Sequence, residues 1–262
     1  MKIVYTYTYY KNFISCRKRI MRLEKYLSDC GIGTRSQCKK YIREGAVRVN
    51  GETAVNGALQ VSCEDEVFFR DTRLMLQKHL YFMFHKPAGC ICATKDEHQK
   101  TVLDYFPAEL SKKLLIAGRL DKDTEGLLLL TYNGDLIHRL MSPKKHMGKT
   151  YFFKAYGKLP KDAVSQTGQG IDIGDEQPTK PGKLENLCFF KEGQEDMTSG
   201  FLTIYEGRYH QVKRMIHVMG CEVFYLKRVS IGGILLDESL MPGTYRPLTK
   251  KELQIIGIES GK

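Results

Sequence analysis

The chain has 262 residues, 42% of them hydrophobic, enough to build one large domain and one small one around proper cores. Forty-one Lys and Arg against thirty Asp and Glu give a formal charge of +11, which suits a polyanionic partner. No window is apolar for long enough to span a bilayer, so nucleic acid fits that charge better than a membrane does. The eight cysteines are dispersed, form no C-x-x-C pair and follow no secretory signal, which reads as the reduced thiols of a cytoplasmic protein.

Residues 1–20 are basic and tyrosine-rich and carry no acid. They read as an extension ahead of the folded body, with a basic arm lying along RNA phosphates as the alternative. Residues 21–71 predict a compact unit of two helices and a hairpin. Leu23, Tyr26, Leu27 and Cys30 fall at i, i+3, i+4 and i+7, a short amphipathic helix stopped by Gly31. A second helix starts at Thr34, where Thr34-x-x-Gln37 can form a capping box, and ends at Gly45. Its Cys38, Tyr41 and Ile42 make one face, and Arg35, Lys39, Lys40 and Arg43 make a basic one. Asn50-Gly51, between two short β-prone runs, predicts a type I′ turn.

Residues 72–79 read as a linker to a larger domain over 80–255. There, residues 80–84 predict a buried strand, Lys86-Pro87-Ala88-Gly89 a turn, and Cys90-x-Cys92 a strand segment with both thiols on the core face. The polar cluster Asp121 to Glu125 predicts a carboxylate-rich loop, and Gly126 then opens the buried strand Leu127 to Thr131, closed by Asn133-Gly134. Helices are predicted over 135–141 and over 209–219, the latter with Val212, Met215, Ile216 and Met219 inward, flanked by strands at 201–205 and 223–231. The class is α+β, with a mostly antiparallel mixed sheet in the larger domain. Gly148-Lys149-Thr150 is no phosphate-binding loop, because Pro143 stands where that pattern requires glycine. His210 and His217 share a helix face without two further ligands at workable spacing, so no metal site is expected.

Four motifs come in a fixed order: Lys86-Pro87-x-Gly89, Arg119-Leu120-Asp121 with Asp123-Thr124-Glu125-Gly126-Leu127, Lys149-Thr150-Tyr151, and Arg208-Tyr209-His210-Gln211-Val212-Lys213-Arg214. Together they resemble the RNA pseudouridine synthases, over most of the chain. The closer likeness, carried by Lys180-Pro181, Ile231-Gly232-Gly233 and the ending Pro242 to Leu248, is to the branch that modifies small-subunit rRNA at uridine 516 of 16S rRNA. The unit at 21–71 resembles the S-four RNA-binding domain.

The resemblance implies an isomerase without a cofactor, acting on 16S rRNA or a small-subunit assembly intermediate, expected to be a monomer. It also implies Asp121 as nucleophile, Tyr151 as a stacking and hydrogen-bonding surface for the target base, and Lys213 as the cation paired with Asp121. Arg119 and Leu120 would support the loop. RNA would be held by Arg35, Lys39, Lys40 and Arg43 in the small unit and by Arg208, His210 and Arg214 in the large one, with Lys144 and Lys145 nearby. The alternatives are a synthase of 23S rRNA and a non-catalytic RNA-binding or ribosome-assembly protein that kept the fold.

Overall fold

The computed structural model describes residues 20–30, 32–62, 64–74, 81–134, 137 and 147–258. The chain divides between His79 and Leu80 into two compact units.

In the first unit the apolar spacing produces two helices, Leu23–Asp29 and Arg35–Arg43. The second is closed by the expected capping box, in which Gln37 N–H donates to Thr34 Oγ1 and Thr34 N–H to Gln37 Oε1. Leu23, Tyr26, Leu27, Cys38 and Ile42 bury together with Val47 and Val67 of the sheet. β1 (Met21–Arg22) pairs with β4 (Gln60–Val61). The sheet proper runs β3-β2-β5-β6, where β2 is Val47–Val49, β3 Glu52–Thr53, β5 Val67–Phe69 and β6 Thr72–Leu74. Asn50 and Gly51 take φ of 52° and 89°, as a type I′ turn demands. β6 corrects the expected linker: residues 72–74 pair with β5 and belong to the unit. With Leu74 alone turned into the core, Thr72 and Arg73 gave that strand no apolar signal. Residues 75–79 lie outside the described ones.

The second unit is built on a sheet of nine strands among the described residues. These are β7 (Tyr81–Lys86), β8 (Leu115–Ala117), β9 (Glu125–Thr131), β10 (Lys149–Tyr156), β11 (Lys183–Glu192), β12 (Glu195–Ile204), β13 (Glu222–Ile231), β14 (Ile234–Leu235) and β15 (Tyr245–Pro247). The order is β11-β12-β10-β13-β9-β7-β15, with β14 on β13 and β8 on β9. The β13–β9 pair is parallel and the others are antiparallel, the mixed sheet expected.

The unbroken leucine run of β9 is explained by burial on both faces. Leu127 and Leu129 pack with Met83, Ile231 and Leu253, whereas Leu128 and Leu130 pack with Phe82, Phe84 and Phe106 on the opposite side. A third cluster joins Tyr151, Phe153 and Ala155 of β10 to Val212, Met215, Ile216 and Met219, the inward face of helix Gln211–Val218. Cys90 and Cys92 do pack against core clusters, but on an irregular segment rather than a strand, so alternation is not the reason. The helix expected over 135–141 lies, apart from residue 137, outside the described residues.

Candidate active site

The loop before β9 is held from beneath by its own backbone partners. Lys86, at the end of β7 and 0% exposed, donates from Nζ to the carbonyl oxygens of Pro87, Lys122 and Thr124 at 3.0, 3.2 and 2.9 Å. The turn at Pro87–Ala88 brings Gly89, at φ 88°, to donate its N–H to the same Lys122 oxygen at 2.8 Å. Burial pushes the Lys86 pKa below the ordinary lysine value, against the nearby thiols and the carboxylates of Asp123 and Asp121. Ahead of the aspartate, buried Leu120 joins the cluster around Tyr151, and its N–H donates to Cys92 Sγ at 3.3 Å. Leu120 thus anchors one side of the loop and Lys86 the other.

At the start of β9 the parallel register sets Gly126 opposite Arg228. Gly126 has φ 108°, and a Cβ there would lie 2.2 Å from the Arg228 carbonyl oxygen. Only glycine permits this approach. It places the Arg228 side chain, 1% exposed, under the loop. Nε donates to Leu127 O at 2.8 Å, and Nη1 lies 3.4 Å from both Arg119 O and the Tyr151 hydroxyl. The Tyr151 ring is itself buried at 8% exposure, so it offers its hydroxyl end to the site more readily than a stacking face.

The loop carries three carboxylates with three different surroundings. Glu125 accepts from the Tyr225 hydroxyl at 3.0 Å, and burial together with that carboxylate raises the Tyr225 pKa to about 12. Asp123 accepts from Lys213 Nζ at 2.7 and 2.6 Å through its two oxygens. The Asp121 carboxylate accepts no hydrogen bond from a described residue. Its side chain is 32% exposed, and His210 Nε2 stands 3.6 Å from Oδ1. This corrects one expectation: Lys213 is paired with Asp123, not with Asp121. The loop turns tightly, Thr124 N–H donating to Asp121 O at 3.1 Å, and it is Asp123 that projects to the ammonium. Burial would raise the Asp123 pKa, but the hydrogen bond and charge of Lys213, with His210, outweigh it and hold the carboxyl below its ordinary value.

Arg208 and Arg214, expected to face RNA, are directed at protein acceptors. Arg208 donates to Gln177 O and Pro178 O at 2.6 and 2.7 Å and pairs with Asp175 and Glu206. Arg214 pairs with Asp175 at 2.6 Å and donates to Ile173 O and Tyr209 O. Buried Gln211 completes the lock, accepting from Arg208 N–H and donating to Glu206. Both arginines therefore tie the segment before helix Gln211–Val218 to the stretch 173–178. His210 sits at its N-terminus in a left-handed conformation, φ 47°. Arg119 is exposed; Lys144 and Lys145 lie outside the described residues.

In the first unit Arg35, Lys39, Lys40 and Arg43 are all exposed. Lys39 and Lys40 have carboxylates at 3.7 and 3.8 Å, from Glu24 and Glu44, the kind of solvated pair that holds a side chain only weakly.

Lys86 and Arg228 are the residues to which sequence reasoning gave no role. Arg228 had a legible signal: in β13 it stays in phase with buried Leu226 and Ser230. An arginine on a core face needs partners.

A basic helix-and-hairpin unit, together with a sheet domain that displays over a clamped loop one carboxylate without a hydrogen-bond donor among the described residues, is the equipment of an enzyme acting on a polyanionic chain. Residues 80–218 match the family model described as RNA pseudouridylate synthase, and residues 21–67 match the S4 domain. The Ribosomal small subunit pseudouridine synthase A of Haemophilus influenzae is 44% identical over 236 residues, 89% of this chain and 98% of that protein. The RNA pseudouridine synthase YtzG of Bacillus subtilis is 42% identical over 238 residues, 90% and 98% of the two chains. A crystal structure of a pseudouridylate synthase aligns with a TM-score of 0.62 at 42% identity, covering 90% of this chain and 99% of that one. The chain belongs to the RNA pseudouridylate synthase family and carries an S4 domain: it is an RNA-modifying isomerase.

Proposed function

We propose that the protein converts uridine 516 of 16S rRNA to pseudouridine, with Asp121 as the nucleophile and no cofactor. The observation that carries the assignment of the nucleophile is the division of labour among the loop carboxylates. Glu125 and Asp123 are engaged by Tyr225 and Lys213, and of the three only Asp121 keeps its lone pairs for a substrate. The name of the Haemophilus influenzae relative supports a small-subunit substrate.

The reaction breaks the C1′–N1 bond, turns the base and joins C1′ to C5. N1 gains a proton and C5 loses one, so no electrons are exchanged and no group leaves. A carboxylate that forms a transient covalent bond, as in glycosidases, is sufficient for this. Lys86 and Arg228 hold the loop so that Asp121 is presented without rearrangement, and the Tyr151 hydroxyl, aligned by Arg228, faces the reaction centre. Lys213 acts through Asp123, fixing the far side of the loop, and Arg119 and His210 border the carboxylate. Arg35, Lys39, Lys40 and Arg43 dock the rRNA, or a small-subunit assembly intermediate, through its phosphates. The enzyme is proposed to act in the cytoplasm and as a monomer.

The test is to map pseudouridine in total rRNA from cells with and without the gene. Loss at position 516 of 16S rRNA, restored by the wild-type gene, is expected. Loss at a 23S position instead would move the substrate to the other subunit, and an unchanged map would favour the non-catalytic reading.

A further inference from the structure

We infer that Tyr209 is a stacking shelf for a nucleobase flanking the target uridine in single-stranded RNA; the inference rests on the synthase reading above. Tyr209 is 77% exposed, an unusual setting for an aromatic ring, and yet it is not loose. Its ring lies on the His210 imidazole, with centroids 3.8 Å apart and planes inclined by 17°. An exposure that high beside such a stack leaves the other face of the ring to solvent. On the covered side, the imidazole reaches 3.6 Å from the Asp121 carboxylate. The order is therefore open ring, imidazole, reactive carboxylate, so a base on Tyr209 lies within a nucleotide or two of a sugar at Asp121.

The backbone beneath the shelf is held in place. Arg214 donates to Tyr209 O at 3.2 Å, Arg208 N–H donates to Gln211 Oε1 at 3.0 Å, and both guanidinium groups are fixed on Asp175. His210 is kept at φ 47°, a conformation that a non-glycine residue retains only where its surroundings impose it. A folded chain has no need to hold an exposed ring so firmly for its own packing. A preformed aromatic surface beside a reacting centre does serve a ligand with a flat face, because little ordering remains to be done on binding. Nucleobases stack on such rings without regard to sequence, and the target must leave its own stack to reach Asp121. Tyr209 replaces the neighbour that a flanking base loses when the strand opens.

The experiment uses the full chain and an unmodified 16S rRNA transcript. Affinity is read by fluorescence anisotropy in the Asp121→Asn background, which separates stacking from turnover, and kcat and KM are read in the otherwise wild-type protein. Tyr209→Ala is expected to weaken binding by about 5- to 150-fold, the range for removal of one base-aromatic stack, mainly in KM and without a change in melting temperature. Tyr209→Phe, which keeps the ring, is expected to restore affinity to within about twofold of Tyr209. Equal affinity for Tyr209→Ala and Tyr209 overturns the inference. So does equal weakening by Phe and Ala, which would assign the effect to the hydroxyl. Binding weakened by Ala and restored by Phe, in a protein that never converts RNA, would overturn the synthase reading and leave the shelf standing.

Discussion

Gly126→Ala tests how the loop is set against the sheet. The added Cβ would stand 2.2, 2.7 and 2.9 Å from the Arg228 carbonyl oxygen, amide nitrogen and carbonyl carbon. Non-bonded heavy atoms settle at about 3.5–4.0 Å, and these are backbone atoms that no rotamer change can move aside. β9 and β13 would have to part by roughly 1 Å where they run parallel, loosening Arg228 from Leu127 O and Arg119 O. Overpacking of this kind costs about 1–3 kcal/mol, and forcing alanine to φ 108° costs about another 1–3 kcal/mol. The sum, roughly 2–6 kcal/mol, lowers the melting temperature by about 4–24 °C in a domain of this size. Calorimetry of the wild type, Gly126→Ala and Gly193→Ala decides it. Gly193 also has positive φ, 64°, but nothing within 4 Å of its Cβ position, so its substitution carries the backbone strain without the collision. Equal melting temperatures for the two variants would refute the close-approach argument, and a wild-type melting temperature for Gly126→Ala would refute the geometry of the loop.

Three further outcomes are expected. Lys86→Met removes the donor shared by three carbonyls; Lys122 O keeps Gly89 N–H and Pro87 O keeps the weak Cys90 thiol donor, while Thr124 O is deprived of the ammonium. With about 1–3 kcal/mol for an acceptor left unsatisfied, urea unfolding should show a destabilisation of about 1–3 kcal/mol, and no destabilisation would mean the clamp is idle. The folded pKa of Asp123 is below the unfolded value of about 3.9, so its contribution to stability is complete above that pH and is lost as pH falls through the folded value. Asp123→Asn should therefore flatten the acid limb of the stability curve below about pH 4, and superimposable acid limbs would contradict the Lys213 pairing. Replacing Lys39 and Lys40 together by Ala should reduce the slope of log affinity for rRNA against log salt by about 0.7–0.9 for each phosphate no longer neutralised, and an unchanged slope would place docking elsewhere.

The sequence made legible what depends on neighbours along the chain. The capping box at Thr34, the Asn50-Gly51 turn and the inward face of helix Gln211–Val218 follow from short spacings, and each is present. The doubly buried strand at Leu127–Leu130 was equally clear, because a four-leucine run has no polar face to show. What escaped is decided between distant segments. Lys213 pairs with Asp123, 90 residues away, instead of Asp121, and a two-residue difference inside one turn cannot be resolved by a motif. Arg208 and Arg214 look like RNA ligands in a basic run, but Asp175, 33 and 39 residues upstream, takes up both. Arg228 was passed over because the inward positions 226, 228 and 230 of β13 hold one apolar and two polar residues, so its placement shows only when the alternation is followed through them.

The most direct test of the central claim compares Asp121→Asn with Asp123→Asn, two isosteric neutralisations on one loop. Purified proteins are incubated with unmodified rRNA without added metal or nucleotide, and conversion is read by carbodiimide-blocked primer extension, with RNA affinity measured alongside. The account predicts that Asp121→Asn abolishes conversion and keeps affinity, because an amide cannot supply the attacking carboxylate. Asp123→Asn, which weakens one support of the loop, should slow conversion by about tenfold or less, the equivalent of about 1 kcal/mol in the barrier. Wild-type conversion by Asp121→Asn, or abolition by Asp123→Asn alone, would contradict it.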